Sequence, residues 1–365
     1  MAFTVLIAPD SFKGSSSAVV VANAIAEGWL SVRPNDQIIL APQADGGEGT
    51  LDAIEAAVSG AVRHLIGLVS GPDGRPTLGE WLELPGKIAV VELAQSSGLP
   101  LMEKLDATGA TSRGLGEVIR SALFSGMDSL IIGLGGSAST DGGAGALRAL
   151  GLRLLDENEM QVSEGGAGLA NIARVDSSAI IPAPAGGVML LTDVTAPLLG
   201  IGGAAAIFAP QKGASPSEVK TLDAALTHFS NLLGGNPATP GSGAAGGTAY
   251  GFATVWGARI EPGSDYIAGL SGLEARIKQA DILLTGEGRF DQQSLGGKVV
   301  GQLLALARKF GIKTGVIAGQ ITTDSGAWQI ALDDLAGSVA EAITHPEKWL
   351  QIAGARAAQE LDSIK

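Results

Sequence analysis

With 365 residues the chain is too long for one ordinary core. At 45% hydrophobic and 17% charged it is too apolar for disorder, so two folded domains are expected. A net charge of −13 without a basic block excludes nucleic acid and anionic membrane surfaces as partners, and the lack of cysteine excludes disulfides, thiolate metal sites and cysteine nucleophiles.

The first residues enter a strand directly, with no basic leader. Apolar runs stay far below the ~20 residues of a membrane span, so a cytoplasmic protein is expected. Phe3–Ala8 predicts a buried strand, Ser16–Leu30 a helix, Gln37–Ala41 a strand and Thr50–Val58 a helix. This βαβα opening predicts a parallel sheet covered on both faces. The loop Ala8-Pro9-Asp10-Ser11-Phe12-Lys13-Gly14 leaves the carboxyl end of the first strand, where open α/β sheets bind ligands, so Asp10 and Lys13 face the crevice. Helix capping explains the nearby serines but leaves Lys13 unexplained, because a cation is misplaced at a helix N-terminus.

After the second strand comes Asp45-Gly46-Gly47-Glu48-Gly49, a D-G-G-x-G phrase that recurs at Asp141-Gly142-Gly143-Ala144-Gly145. Its glycines let backbone N–H groups approach an anion at a helix N-terminus. An aspartate beside them suits a phosphate that carries a divalent cation. In the first copy Asp45 and Glu48 offer two carboxylates on one turn, the number Mg²⁺ usually takes beside substrate phosphates; capping by Asp45 explains that turn equally well.

Val62–Val69, Thr77–Leu84 and Lys87–Leu93 are strand-like and joined by Pro-Asp-Gly and Pro-Gly turns, which predicts antiparallel hairpins. Thr111–Leu150 is βα-like and is assigned to the outer sheet. Within it Gly133, Gly135 and Ala138 satisfy a dinucleotide fingerprint, with Asp156 after Leu152–Leu155 as the ribose acid. Ser139 to Gly143 then continues as a glycine loop where a dinucleotide site needs helix, which favours a phosphate cradle. Val188–Thr192 predicts a strand ending at Asp193, Pro210-Gln211-Lys212-Gly213 holds a lysine on a constrained loop, and a helix is expected near Ser217–Leu233. Towards the end, strands are expected at Asp281–Thr285, Thr314–Ala318 and Ala336–Ala340, and helices at Lys298–Phe310, Ser325–Leu332 and Pro346–Leu361. The loop Thr285 to Asp291 mixes Glu287 and Asp291 with Arg289, and Gly296-Gly297-Lys298 follows.

These elements predict an outer α/β domain from residues 1–60, 105–150 and 272–365, with a smaller mixed α/β domain, 61–104 and 151–271, inserted into it. There is no G-x-x-x-x-G-K-[ST], H-R-D or D-F-G, and His64, His228 and His345 avoid the glycine-rich loops. P-loop enzymes, protein kinases, Ser-His-Asp hydrolases and zinc enzymes are therefore poorly supported. What remains is Asp, Glu, Lys and Arg around glycine loops, the set that phosphoryl transfer uses. The alternatives are an NAD-dependent dehydrogenase of a small hydroxy acid, using Gly133 to Ala138 and Asp156, and a nucleotide-sensing binding module.

In order, the segments APDSFKG, ADGGEGT, GLGGSASTDGGAG, TDVTAPL, FAPQKGA, GAAGG and TGEGRFDQQ…GK resemble the bacterial glycerate kinases of type I, related to the glyoxylate-degradation enzymes, from about residue 4 to residue 320. The resemblance implies a discontinuous flavodoxin-like (Rossmann-like) parallel-sheet domain and a second α/β domain, with the active site in the cleft between them. It implies transfer from ATP to D-glycerate with Mg²⁺, the 2-phosphate being favoured; monomer and homodimer stay open. The chain departs at Ser139-Thr140, where the family shows Thr-Asn, and at Ala196, where it shows Asn. Carried over to these positions, Lys13, Lys212 and Lys298 surround the transferred phosphoryl group or the glycerate carboxylate. Asp10 and Ser11 bind substrate, and Arg289 forks its carboxylate. Asp45, Glu48, Glu287 and Asp291 hold Mg²⁺, while Gly135, Gly136, Ser137, Gly142 and Gly143 cradle the ATP phosphates. Asp193, facing Lys212, is the base on the hydroxyl, with Asp141 as its rival.

Overall fold

A computed structural model describes residues 2–296 and 299–361. The chain divides into two compact units, Met1–Ser59 with Ser264–Lys365 and Gly60–Gly263. In chain order, the strands of the main sheets are β1 (Thr4–Ile7), β2 (Gln37–Leu40), β3 (Val62–Ser70), β4 (Pro76–Leu84), β5 (Ile88–Glu92), β6 (Ser129–Gly133), β7 (Val188–Leu191), β8 (Arg259–Glu261), β9 (Ile282–Thr285), β10 (Lys313–Ala318) and β11 (Trp328–Ala331).

The first unit is a five-stranded sheet in the order β11-β10-β9-β1-β2, parallel throughout. Side chains alternate between its faces, and both faces are covered. Val5, Ile7, Ile282, Leu284 and Ile317 pack against helices Ala18–Val32 and Pro346–Glu360. Leu6, Ala8 and Leu283 pack against Leu273–Gln279 and Val299–Phe310. Burial on both faces is why these strands read as unbroken aliphatic runs. The strand order places the carboxyl ends of β1 and β9 side by side, and the loops at Asp10 and Glu287 leave from them.

Helices Ala18–Val32 and Pro346–Glu360 cross at glycine contacts. A Cβ on Gly28 would stand 2.0 Å from the Gln351 carbonyl oxygen, and one on Gly354 would stand 2.3 Å from that of Ile25. Neither backbone group can move aside without parting the helices. Gly28→Val is expected to destabilise the protein by about 1–3 kcal/mol, read as a lower urea midpoint; an unshifted midpoint would show that the crossing yields.

The second unit holds a six-stranded sheet, β8-β7-β6-β5-β4-β3. Strands β5 to β8 run parallel, and β3 and β4 form the expected antiparallel edge. Its core gathers Leu115 and Ile119 of helix Arg113–Phe124, Leu226 and Phe229 of Pro216–Leu233, and Tyr250 and Phe252 of Ala244–Trp256.

Three expectations are corrected here. Residues 105–150 belong to the second unit, because β6 pairs with β5 on one side and β7 on the other, in registers Ile88↔Ser129 and Leu130↔Val188. Strand periodicity does not say which sheet a strand joins. The inserted unit is also the larger one. Finally, the elements expected at 325–340 are exchanged. Trp328–Ala331 is an edge strand beside β10, while Leu332–Ala336 and Val339–Thr344 are helices. Gly337, at φ 78°, ends the first helix, and the Ser338 hydroxyl caps the second by accepting the Glu341 N–H. Among the described residues no helix is long and apolar enough to cross a membrane.

Candidate active site

In the first unit, loops leaving β1, β2 and β9 meet around a cavity of about 380 Å³ lined by Asp10, Ser11, Lys13, Asp45, Glu287 and Arg289. The Asp10 N–H bonds to the Gly286 carbonyl, and the Thr285 hydroxyl bonds to the Ala8 carbonyl at 2.8 Å, so the two strand ends hold each other. Asp10 is 8% exposed and accepts the Ser11 N–H at 2.7 Å. Its carboxyl is pushed up to about 7, chiefly by burial and then by the charges of Asp45 and Glu287, against the pull of Lys13. Lys13 reaches Asp45 at 3.4 Å, and that carboxylate holds its ammonium above the ordinary lysine range. The Ser11 hydroxyl is buried and makes no hydrogen bond. A buried hydroxyl of this kind calls for a partner, and its residue lines the acidic cavity.

Of the remaining predicted residues of this unit, Arg289 and Asp291 lie at the cavity and Glu48 does not. Arg289 is 64% exposed, with its Nε 3.8 Å from Asp291. Asp291 lines the same cavity, and its Oδ1 accepts the Gln293 N–H. Glu48 is corrected: it is exposed and does not line the cavity, because its turn directs Asp45 inward and caps it on the Gly47 N–H at 2.9 Å. Lys298 lies outside the described residues. Among the described residues no group of three or more carboxylates and histidines is arranged to hold a metal. A cation here would rest on one or two carboxylates together with substrate oxygens. The crowding that raises Asp10 is what such a cation would relieve, so the residues fit Mg²⁺.

In the second unit the loop after β6 runs from Leu134 to Gly143 before helix Ala144–Ala149 begins, longer than a dinucleotide turn. Lys212 is 1% exposed and donates to the Ser137 hydroxyl at 2.9 Å and the Ser139 carbonyl at 2.5 Å. Burial pulls its ammonium down to about 7, against the charge of Asp141. The Ser139 and Thr140 hydroxyls are buried without hydrogen bonds, and the N–H groups of Gly135 and Gly136 make none among the described residues. Lys212 from the segment Pro210–Lys212 thus meets a loop carrying hydroxyls and N–H groups, the donor types that bind anions.

Two expectations on this loop are corrected. Gly142 and Gly143 do not offer N–H groups to a phosphate, since the first bonds to the Gly246 carbonyl and the second to Asp141. Asp141 is fully buried, its Oδ2 accepting from Ser112 N and Oγ at 2.9 and 2.8 Å and from Gly145 N at 3.1 Å, and its Oδ1 from Gly143 N at 3.1 Å. Its bonds organise the loop, and its burial sets it apart from a base that must meet substrate. Asp141→Ala is therefore expected to cost about 3–5 kcal/mol of stability by orphaning these donors, seen as a lower urea midpoint; a variant of parental stability with lost turnover would return Asp141 to catalysis. Asp193 is exposed beyond the end of β7 and is not among the hydrogen-bond partners of Lys212, so the expected pairing of the two is not seen.

Sequence reading missed the platform beneath this loop. Ala245, Gly246 and Gly247 are all left-handed, and a Cβ on Gly246 would stand 2.1 Å from the Ser139 carbonyl oxygen. The run Gly243-Ala244-Ala245-Gly246-Gly247 is the signal, since consecutive left-handed residues are otherwise rare.

The glycerate kinase family model matches residues 5–362. The chain belongs to the glycerate kinase family. It is 41% identical over 331 residues to "Glycerate 2-kinase" of Escherichia coli (strain K12), covering 88% of this chain and 86% of that protein. It is 39% identical over 350 residues to a glycerate kinase of Bacillus subtilis (strain 168), covering 93% and 91%. The crystal structure of a putative glycerate kinase 2 from Salmonella typhimurium LT2 superposes with a TM-score of 0.80 at 33% identity, covering 100% of this chain and 99% of that one. As a member of the glycerate kinase family the chain is a phosphotransferase with a mixed α/β fold. Family membership sets aside the dehydrogenase and sensor readings. Asp156, the supposed ribose acid, instead folds its own turn by accepting the Asn158 and Met160 N–H groups at 2.8 and 2.9 Å.

Proposed function

We propose that the protein is a cytoplasmic, Mg²⁺- and ATP-dependent kinase of D-glycerate that phosphorylates the 2-hydroxyl. The observation that carries the acceptor assignment is the cavity around Asp10. It pairs a buried carboxyl titrating near 7 with Lys13 and Arg289, which suits a small hydroxy acid bearing one carboxylate. The name of the Escherichia coli relative supports the 2-position, and the ordered motifs support the type related to glyoxylate degradation.

In this reading Arg289 and Lys13 hold the glycerate carboxylate, and Ser11 donates to a substrate oxygen. The hydroxyl proton passes to Asp10, whose burial, the largest cause of its shift, raises its carboxyl towards the range of a general base. Sequence reading favours Asp193 for that role; its exposure and the burial of Asp10 turn the preference to Asp10. Asp45 and Glu287 would hold Mg²⁺, which when bound with ATP supplies charge neutralisation on the phosphates. Lys212, the Ser139 and Thr140 hydroxyls and the N–H groups of Gly135 and Gly136 bind phosphate oxygens. Use of ATP suits a cytoplasmic enzyme.

The decisive experiment is coupled ADP release with and without D-glycerate. Enolase added to the product without a mutase then reports the 2-phosphate directly. Release that does not depend on glycerate, or stabilisation by NAD⁺ with no response to ATP·Mg²⁺, overturns the reading. A product that enolase accepts only with a mutase moves the transfer to the 3-hydroxyl.

A further inference from the structure

Beside the acidic cavity the first unit carries a second, larger one of about 780 Å³, and Val299 lines both. Its walls are the helices Gly263–Leu270, Leu273–Gln279 and Val299–Phe310, presenting Ala268, Leu273, Leu303 and Leu306. Volume and lining fall in the range of sites for organic ligands: mostly apolar, with few polar groups.

One of those polar groups is unusual. Gln43 lines the cavity yet is only 2% exposed. Its Nε2 donates to the Ala41 and Pro42 carbonyls at 2.8 and 3.3 Å and meets Ser271 Oγ at 3.4 Å, while its N–H bonds to the Pro9 carbonyl in the loop that carries Asp10. With the amide nitrogen fixed by two carbonyls, the side-chain carbonyl makes no hydrogen bond among the described residues. An open carbonyl on a residue that lines a mostly apolar cavity is an acceptor for a flat donor-bearing ring. The floor is also bare: a Cβ at Gly269 or Gly272 would meet nothing within 4 Å.

We infer that this cavity is the subsite for the purine nucleoside of ATP. The inference rests on the kinase reading above. The base lies between the aliphatic walls with its exocyclic amine towards the Gln43 carbonyl. The exposed Asp265 at the rim takes ribose hydroxyls, a role that carboxylates play in dinucleotide sites. The phosphates lead past Val299 towards the carboxylates that would hold Mg²⁺. Occupation by an apolar acid or a lipid tail is disfavoured by Gln43, which has no partner in such a ligand.

The test fills the cavity from two walls with Gly269→Phe and Ala305→Phe. Gly269 sits in a helix with an unstrained φ and open space at its Cβ, and Ala305 is exposed on the opposite helix, so both substitutions are compatible with the fold. Calorimetric titration of ATP without glycerate is expected to show binding weakened at least about ten-fold in both variants, with melting temperatures near the parent's. In the parent, adenosine is expected to compete with ATP and not with D-glycerate. Parental ATP affinity in the folded variants overturns the subsite. Parent protein that binds ATP but releases no ADP on adding glycerate overturns the kinase reading and leaves the binding test standing.

Discussion

Lys212→Met is expected to lower kcat/KM by about 10²–10³-fold, the usual loss when a preorganised charge-stabilising donor is removed, and to raise the melting temperature at neutral pH. The two effects share one cause. Lys212 is buried among neutral oxygens, with Asp141 already committed to four hydrogen bonds. Its ammonium is stable there only in company with an anion. An unfolded lysine keeps its proton to about 10.5, whereas Lys212 in the fold releases it near 7. Between those values the unfolded chain binds the extra proton, so the native state gains stability as pH rises. Methionine keeps the side-chain length without the charge, and that slope disappears. Thermal melts of both proteins between pH 6 and 10 test the linkage, and initial rates test the catalysis. Turnover within a few fold of the parent would remove Lys212 from the phosphate site. A variant that melts lower would show that its bonds to Ser137 and Ser139 outweigh the buried charge.

The opening βαβα and the antiparallel hairpins were legible because strands covered on both faces read as aliphatic runs, and Pro-Gly turns mark their ends. Residues 325–340 were not legible. Trp328–Ala331 is a half-buried edge strand of four residues, too short to show a period, while the Ser338…Glu341 capping pair was the signal that a helix follows. The site divides in the same way. The residue types and the order of the loops were readable, so the chemistry was. The direction of each side chain was not, because it depends on partners remote in sequence. The two D-G-G-x-G phrases are nearly identical, yet Asp45 opens onto a cavity beside Lys13, whereas Asp141 is sealed by Ser112, nearly thirty residues upstream. Lys212 stands out in the sequence as a lysine on a constrained loop, but its burial is visible only in the fold.

Asp10→Asn is expected to reduce turnover by about 10²–10⁴-fold, the range for loss of a general base, and to abolish the acid limb of the pH–rate profile. That limb is expected between the ordinary carboxylate range and pH 7 in the Mg²⁺-loaded parent, since Asp10 must ionise to accept a proton, burial raises its carboxyl, and the cation relieves the Asp45 and Glu287 charges that help to push it to about 7 without metal. Asp45→Asn separates this from other titrations. It removes the largest charge that raises Asp10 and frees Lys13 to face Asp10, so the limb is expected to move to lower pH whatever happens to the maximal rate. A limb that persists in Asp10→Asn, or stays in place in Asp45→Asn, assigns the proton to another group, with Asp193→Asn the next variant to measure. Stability again runs against function. A carboxyl raised from 3.8 to about 7 binds its proton more tightly in the fold than in the unfolded chain, so native stability falls as pH rises through that window. Asp10→Asn is then expected to be the more stable protein above pH 7. Lys212 and Asp10, one in each unit, are both held near neutrality by burial at the expense of the fold's stability. Such a pair of opposed shifts, one cation lowered and one carboxyl raised, is a mark of sites shaped for proton and phosphate chemistry rather than for packing.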